Sequence, residues 1–356
     1  MVRQIGPEEA LKLIESDSSH DAPTVGERAE KYINGKSGVE PKTIKDYRMF
    51  MRLHIGPFMG DLPIDAVSPD RIAAWVNEQV DDGAAAKSIK NRHGFLFAMF
   101  EDARESGLIQ KNPCQKTGLP ESERLEMTFL TPNEFTELLS FIPPKYETLV
   151  LTLAGTGMRW SEATALKPVD FDFDNGMVRV SRAWKKSAGK GFYLGAPKTR
   201  KSRRSITLPA SLIPDLRELA ARASEFVFEN RNGQPVRQSN FYYDTWQPAR
   251  RMANGQAAYA ERNKNPEWQP ATNGVWDRPV STNPIGKWPR VHDLRHSHAY
   301  WLIRDGHPLA VVQQRLGHES IQTTSDTYGH LSPDMLHAAA ASVDSVLVGA
   351  MPQIEG

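Results

Sequence analysis

The strongest restriction on this chain is a lapse in hydrophobic periodicity near its first third. From Asn112-Pro113 through the run Gly118 to Glu123 the residues are turn formers and charges with no apolar stripe, as expected of a linker. At 356 residues the chain exceeds what one small core accommodates, and roughly 100 to 200 residues per domain leaves room for two. The expected division is an extension over 1–22, a helical domain over 23–111, a linker over 112–126 and a second domain over 127–356.

Thr24 and Glu27 stand at capping-box spacing, so the first helix opens at Thr24. Ile44, Tyr47, Met51 and Ile55 recur at helical spacing from Thr43 to Ile55, with Gly56-Pro57 as the expected stop. Ser68-Pro69 opens a third helix through Val80, and Ile89, His93, Leu96, Phe100 and Ala103 lay an apolar stripe on a fourth that ends near Gly107. The second domain opens with helices from Thr131 to Phe141 and Tyr146 to Gly155. It then turns β-rich: Met177 to Ala183 reads as a strand, Ser205 to Leu208 as its partner and Phe226 to Phe228 as a third. Helices resume over Ser239 to Ala253, His292 to Asp305 and Leu309 to Leu316. Residues 254–287 lack periodicity and are too long for an ordinary connection, so they read as an insertion. The fold class is mainly α with a small antiparallel β-sheet.

The net charge of +1 conceals an uneven distribution: Met1 to Met127 carries 17 Lys and Arg against 21 Asp and Glu, and the remainder 27 against 22. Ser181 to Arg204 concentrates Arg182, Lys185, Lys186, Lys190, Lys198, Arg200, Lys201, Arg203 and Arg204 with no acidic residue. Such a run is a local anion-binding surface or a solvated loop. The faces carrying Lys45, Arg48 and Arg52, and Lys87, Lys90 and Arg92, admit the same two readings. One cysteine, Cys114, excludes an intramolecular disulfide framework, and no apolar run reaches the roughly 18 residues that span a bilayer. With no signal-peptide pattern, a reducing cytoplasmic compartment and no membrane partner are expected.

Five segments carry chemistry in fixed order: TGMRWSEATAL around Arg159, APKTRKSRR around Lys198, HDLRH from His292 to His296, LGHES around His318 and DTYGHL around Tyr328. A phosphodiester repels nucleophiles through its charged non-bridging oxygens, and preorganised cations offset that charge. Arginine suits this because it stays protonated and its planar fork matches two phosphate oxygens. Arg159 follows the flexible Gly155-Thr156-Gly157, and Glu162 lies three residues on. Together they orient a guanidinium for a ligand or form a structural ion pair. His292 and Arg295 are also three apart, facing a common anion. A rival reading makes His292, His296, His298, His307, His318 and His330 the ligand pool of a zinc hydrolase or nuclease. There, His292 and His296 satisfy only the spacing of a zinc helix, and the paired arginines go unexplained. Tyr328, in a polar context before Gly329, reads as exposed and mobile, which suits a nucleophile.

Over about Thr24 to Ser342 these residues resemble the tyrosine recombinase and phage integrase family, most specifically across HDLRH, LGHES and DTYGHL. The resemblance implies an N-terminal SAM-like core-binding domain and a C-terminal catalytic domain of the DNA breaking-rejoining fold, gripping a duplex between them. It implies that Tyr328 attacks the scissile phosphate to give a 3′-phosphotyrosine and a free 5′-hydroxyl, while Arg159 and Arg295 stabilise the transition state. Lys198 matches the general acid, favoured by its Pro-Lys-Thr setting, although Lys185, Lys186, Lys190 and Lys201 stay open. His292 matches the acceptor of the tyrosine proton, His318 the residue that hydrogen-bonds the phosphate and Glu162 the acidic support of Arg159. His296, His298 and His330 are left to packing or local hydrogen bonding, and His307 to a turn. The basic helix faces, with Arg200, Lys201 and Arg203, become DNA contacts.

The same resemblance implies no metal, ATP or other cofactor, because the phosphotyrosine retains the bond energy. The implied substrate is double-stranded attachment or recombination sites, held by a homotetramer whose C-terminal tail (331–356, apolar from Met335 to Val348) docks into a neighbour. Accessory directionality or bending proteins are a further expectation. Only some 22 residues precede the first helix, too few for an independent arm-binding domain of about 60, which favours simple core sites or a truncated element-borne enzyme. Among prophage integrase, transposon recombinase and chromosome-dimer resolvase, the insertion favours an integrase of a phage or mobile element. The rivals are a DNA-binding protein that keeps the fold without chemistry, the zinc enzyme and, as a minor variant, a type IB topoisomerase.

Overall fold

Thr24 starts the first helix as its spacing requires: its hydroxyl accepts from the Glu27 amide at 3.1 Å, and Glu27 Oε2 accepts from the Thr24 amide at 2.9 Å. This is seen in a computed structural model that describes residues 22–121, 127–187, 191–197, 200–230, 232–258, 278–329 and 343. Contacts divide the chain into two compact units, one over Met1–Leu125 with Lys186–Gly191 and one over Glu126–Lys185 with Phe192–Gly356.

The first unit is helical. α1 (Val25–Asn34) is followed by α2 (Pro41–Phe50), which does not stop at Gly56-Pro57. It runs on through a π-helical turn at Met51–Ile55 into Gly56–Met59. Pro57 has no N–H to give to the regular ladder, and a wide turn that bonds the Gly56 amide to the Met51 carbonyl carries the rod past it. α3 (Pro69–Asp81) starts where the Ser68 hydroxyl takes the Arg71 amide at 3.2 Å, and α4 (Ala86–Glu105) completes the unit. Their apolar faces close on Ile33, Ile55, Ile72, Trp75, Ile89, Leu96 and Phe100. Trp75, 1% exposed, donates its indole N–H to the His54 carbonyl at 2.8 Å, so its burial leaves no unmet donor.

In the second unit α5 (Pro132–Ser140), α6 (Pro144–Thr156) and α7 (Trp160–Ala163) precede a three-stranded antiparallel sheet. Its order is β1 (Phe171–Asp172), β2 (Met177–Val180), β5 (Arg204–Thr207), with Val178 opposite Phe171 on one side and Ile206 on the other. Two expected strands differ. The run from Met177 to Ala183 breaks at Ser181 and Arg182, whose side chains both turn to the Asp170 carboxylate. The chain then starts a separate hairpin of β3 (Ala183–Ser187) and β4 (Gly191–Gly195). Phe226 to Phe228 forms no strand: it is a buried irregular segment whose Val227 amide bonds the Leu166 carbonyl, while Glu229 takes the Glu225 and Phe226 amides. A fully buried run of this length carries no period to tell a strand from a packed loop. Phe171–Asp172 is the third strand instead. Lys198 and Lys190 lie outside the described residues, as do His330 and nearly all of the tail.

α8 (Ile213–Arg222) leads to a rod built as Gln238–Phe241, a π-turn at Tyr242–Trp246 and Gln247–Met252, a second case of a wide turn ahead of a proline, Pro248. The described ends of the expected insertion are built into the core: the Ser281 and Ile285 amides bond the Met252 and Ala253 carbonyls, and Lys287 Nζ reaches Phe129 O and Glu134. α9 (Asp293–Arg304), α10 (Leu309–Leu316) and α11 (Ile321–Tyr328) end the described chain. α11 was not expected, because only Thr324 and Tyr328 of this short polar helix are buried. Among the described residues no helix is long and apolar enough to cross a membrane.

The second unit begins with a reciprocal cap, Thr131 with Glu134 at 2.7 and 3.3 Å. Thr131→Ala is expected to cost about 1 kcal/mol, read as a lower denaturant midpoint at an unchanged m-value.

Candidate active site

Two helix ends converge on one guanidinium. α6 ends in Gly157 at φ +67°, where a Cβ would meet His298 Cδ2 at 2.7 Å and Leu316 Cδ2 at 2.8 Å, so both the backbone and the close approach require glycine. α10 ends in Gly317, also at φ +67°. The carbonyls at these two ends, Gly157 O and Leu316 O, accept from Arg295 Nη1 at 2.6 Å and Nη2 at 2.7 Å. Such carbonyls lack partners within their own helices and lie at the negative ends of the helix dipoles, so a cation suits both. Arg295, on α9, is 2% exposed. Burial and then repulsion from Arg159 push its pKa down to about 9, which leaves it charged at neutral pH. Its guanidinium makes no other hydrogen bond among the described residues.

Glu162 ties a second cluster together. The Arg159 amide donates to Glu162 Oε2 at 3.0 Å, and Arg159 Nη1 to Oε1 at 2.8 Å. Arg204 Nη2 donates to the same carboxylate at 3.1 Å while its Nε and Nη1 reach the Arg315 and Ser202 carbonyls. Desolvation works to raise the Glu162 pKa, but Arg204, Arg159 and the hydrogen bonds outweigh it and hold the carboxyl below its usual range. Glu162 is 2% exposed, whereas the Arg159 side chain keeps 35% of its surface open. Arg315 completes the group, donating to the Gly155 and Thr207 carbonyls and to His298 Nε2. Glu162 is thus shared by Arg159 and Arg204 and felt by Arg295, with Arg315 beside Arg204, while buried Asp293 is engaged by Arg290. Among the described residues the cluster carries surplus positive charge, a setting for an anion.

Tyr328 corrects an expectation: it is buried, 1% exposed, as the last residue of α11. Its phenol oxygen lies 2.7 Å from His296 Nδ1, and its ring is parallel to that of His318 with centroids 6.4 Å apart. Burial raises its pKa to about 12, against the pull of Arg295 and Arg159. The phenol is therefore neutral at pH 7 and yet lies within the field of both arginines. His318 Nδ1 meets Thr324 Oγ1 at 2.9 Å; desolvation, then Arg295 and Arg159, push its pKa down to about 4. His292, at the N-terminus of α9, stands perpendicular to His296 with ring centroids 5.1 Å apart. It keeps solvent exposure, yet desolvation and then His296, Arg295 and Arg159 hold it below the ordinary imidazole range. Desolvation lowers His296 as well. His298, bonded to the Ala154 carbonyl and Arg315, is an interior support.

The second unit therefore brings Arg159, Glu162, His292, Arg295, His318 and Tyr328 into one electrostatically coupled group. Sequence reasoning missed Arg204, counted with the basic surface although it shares the inward face of β5 with Ile206; that alternation was the available signal. It also left His296 outside the site, and the 32 residues between His296 and Tyr328 offer no pairing signal. The basic run is a smaller surface than its composition implied, since Arg182 is held by Asp170 and Arg204 is interior. Lys201 and Arg203 are exposed, while the Arg200 side chain lies outside the described residues. In the first unit Lys45, Arg52 and Lys87 are exposed and Lys90 half-buried. Arg48 bonds Asn34 and Arg92 bonds Gln79, each at 2.8 Å. Among the described residues no three His, Cys, Asp or Glu side chains group to hold a metal.

A profile of the phage integrase family matches residues 128–335, and one of the phage integrase N-terminal SAM-like domain matches residues 24–79. The chain is 26% identical over 318 residues to the ICEBs1 integrase of Bacillus subtilis, covering 86% of this chain and 79% of that protein. It is 26% identical over 326 residues to a XerC-like tyrosine recombinase of Caldanaerobacter subterraneus, covering 87% and 79%. Among solved structures, the Tn1549 transposon integrase in complex with a circular intermediate DNA matches with TM-score 0.70 at 24% identity, over 90% of this chain and 99% of that one. A lambda integrase tetramer bound to a Holliday junction matches with TM-score 0.60 at 20% identity, over 88% and 80%. At these identities the two structures show the fold.

Glu162→Gln keeps the shape of the side chain and removes its charge from between two arginines. Loss of one member of a buried ion cluster is expected to cost about 3–5 kcal/mol at pH 7. Because the folded-state pKa is depressed, the carboxylate stabilises the fold above the unfolded value of ~4.3 and loses that effect as pH falls through the folded value. Urea titrations of both proteins should therefore show the gap narrowing as the pH drops below that range.

Proposed function

The chain belongs to the phage integrase family, and from that premise we propose that it integrates or excises a mobile DNA element by attacking a scissile phosphate with the Tyr328 hydroxyl. The observation that carries this reading is the surplus of guanidinium charge around Glu162, within whose field the phenol sits. In the proposed complex the phosphate supplies the missing negative charge. Arg159 and Arg295 donate to its non-bridging oxygens, and Arg295 is preorganised for this by the two helix ends that hold it. With Nδ1 accepting from Thr324, His318 carries its proton on Nε2 and donates it to the same phosphate.

Attack forms the Oη–P bond and breaks the P–O5′ bond, leaving a 3′-phosphotyrosine. Lys198 protonates the departing oxygen, and a neutral imidazole, His292 in the scheme the family resemblance implies, takes the phenol proton. Since one phosphoester replaces another, neither ATP nor metal is needed. Tyr328 is buried in the free chain, so α11 must shift when DNA or a neighbouring subunit engages.

In this reading Lys45, Arg48, Arg52, Lys87, Lys90 and Arg92 of the helical domain, and Arg200, Lys201 and Arg203 of the catalytic domain, position the duplex through its backbone. The linker over 112–126 joins the two domains. The working assembly is a homotetramer on two recombination sites, with the tail over 331–356 exchanged between protomers. The tetramer of lambda integrase bound to a Holliday junction supports a tetrameric assembly.

A duplex bearing the element's junction sequence, nicked beside the cleavage point, is expected to trap a denaturation-stable protein–DNA adduct in EDTA without nucleotide. Tyr328→Phe should bind the duplex and form no adduct, and Arg159→Gln should slow adduct formation by about 10²–10³. An adduct that persists in Tyr328→Phe rejects the nucleophile; one that requires a divalent ion or ATP rejects the cofactor-free step.

A further inference from the structure

We propose that Arg204 is a positioning residue of this chain: by occupying Glu162 Oε2 it keeps Arg159 bound to that carboxylate through one nitrogen, so that the rest of the Arg159 guanidinium stays open to the phosphate. The inference rests on the functional reading above and deepens it, since it concerns how one of the two phosphate arginines is held. The contacts involved lie on α7, β5 and the end of α10, and none is made by α11, the element that has to shift. Arg204 and Arg159 share a carboxylate and differ in what they have left to give. The Arg204 side chain is 5% exposed, and each of its nitrogens is engaged: Nε by the Arg315 carbonyl at 2.6 Å, Nη1 by the Ser202 carbonyl at 3.0 Å and Nη2 by Glu162 Oε2 at 3.1 Å. It has no edge to offer a substrate. The Arg159 guanidinium, among the described residues, bonds only through Nη1, to Glu162 Oε1 at 2.8 Å, and its side chain is 35% exposed.

An arginine beside a carboxylate tends to pair with it through two parallel N–H···O bonds. Here the second of those bonds is blocked. Each carboxylate oxygen accepts about two hydrogen bonds, and Glu162 Oε2 already takes the Arg159 amide at 3.0 Å and Arg204 Nη2 at 3.1 Å. Without Arg204 a place on Oε2 comes free, Arg159 closes its fork on Glu162, and a phosphate has to break that pair before it can be held. The same guanidinium ties Glu162 to the last turn of α10, whose Leu316 carbonyl holds Arg295. Arg204 therefore keeps Arg159 available and fixes its carboxylate relative to the seat of the second arginine.

A double-mutant cycle on single-turnover cleavage of the nicked duplex tests this, with duplex affinity measured in parallel. Arg204→Gln is expected to bind the duplex as the wild type does and to cleave about 10²-fold more slowly. Arg204→Lys keeps a cation beside Glu162, which protects the fold, but a single ammonium cannot hold Oε2 and both carbonyls at once; its loss should be smaller, about tenfold, and the cycle is read on it if the glutamine variant does not fold. In an Arg159→Gln background there is no fork to close, so either substitution should leave the rate within about threefold of Arg159→Gln alone. A merely structural arginine would impose its full loss in both backgrounds. Losses that multiply, slower cleavage explained by weaker duplex binding, or a folded Arg204 variant that cleaves at the wild-type rate would overturn the assignment. A wild type that forms no adduct at Tyr328 would overturn the functional reading itself.

Discussion

Arg295 is the constraint on which the rest of the site depends. A guanidinium with almost no solvent contact is retained because two helices end on it, each offering a carbonyl that its own ladder leaves unpaired. That arrangement fixes where α6, α9 and α10 meet and requires glycine at both turns, since both sit at φ +67° and a side chain at Gly157 would also collide with His298. Backbone carbonyls are dipoles and do not cancel a full charge. With Glu162 shared by Arg159 and Arg204, the interior keeps a positive surplus that the described residues do not neutralise. A site of this kind is destabilising when empty and is relieved by an anion held in its midst.

Tyr328, the nucleophile of the proposed reaction, is placed within the same field but masked. Burial makes the Tyr328 phenol harder to ionise, while Arg295 and Arg159 make it easier, and burial dominates in the free chain. The same desolvation keeps His296 and His318 neutral at neutral pH. In the proposed reaction a phosphodiester adds negative charge beside the arginines, so attack is matched by removal of the phenol proton; in the free chain the phenol oxygen rests 2.7 Å from His296 Nδ1. On the proposed reading, reactivity is withheld until DNA supplies the charge that the arginines lack and the motion that frees α11.

Much of this was legible from local rules. Thr24 with Glu27, Thr131, Ser68-Pro69 and the Leu309–Leu316 period mark elements whose ends are set by capping and spacing, and the structure keeps them. Arg159, Glu162 and Arg295 declared themselves because three-residue spacing on a helix puts two groups on one face. What failed depended on partners distant in sequence. Gly56-Pro57 reads as a stop until a π-turn absorbs the proline, and Phe226 to Phe228 reads as a strand because burial erases its period. Tyr328 reads as exposed because its polar neighbours face solvent while the ring itself turns inward. Arg204 and His296 escaped notice because Glu162 and Tyr328 become their neighbours only through the fold.

Whether Arg159 and Arg295 act on a single phosphate opposite the Tyr328 ring can be read from a structure of the Tyr328→Phe protein on an uncleaved site duplex. The quantity to measure is the distance from each guanidinium to the non-bridging oxygens of the phosphate nearest the residue 328 ring. Both arginines are expected within hydrogen-bond distance of that one phosphate, about 2.7–2.9 Å, with Arg295 still bonded to Gly157 and Leu316. Arginines resting on different phosphates, or an Arg295 that stays sealed with no phosphate contact, would contradict it.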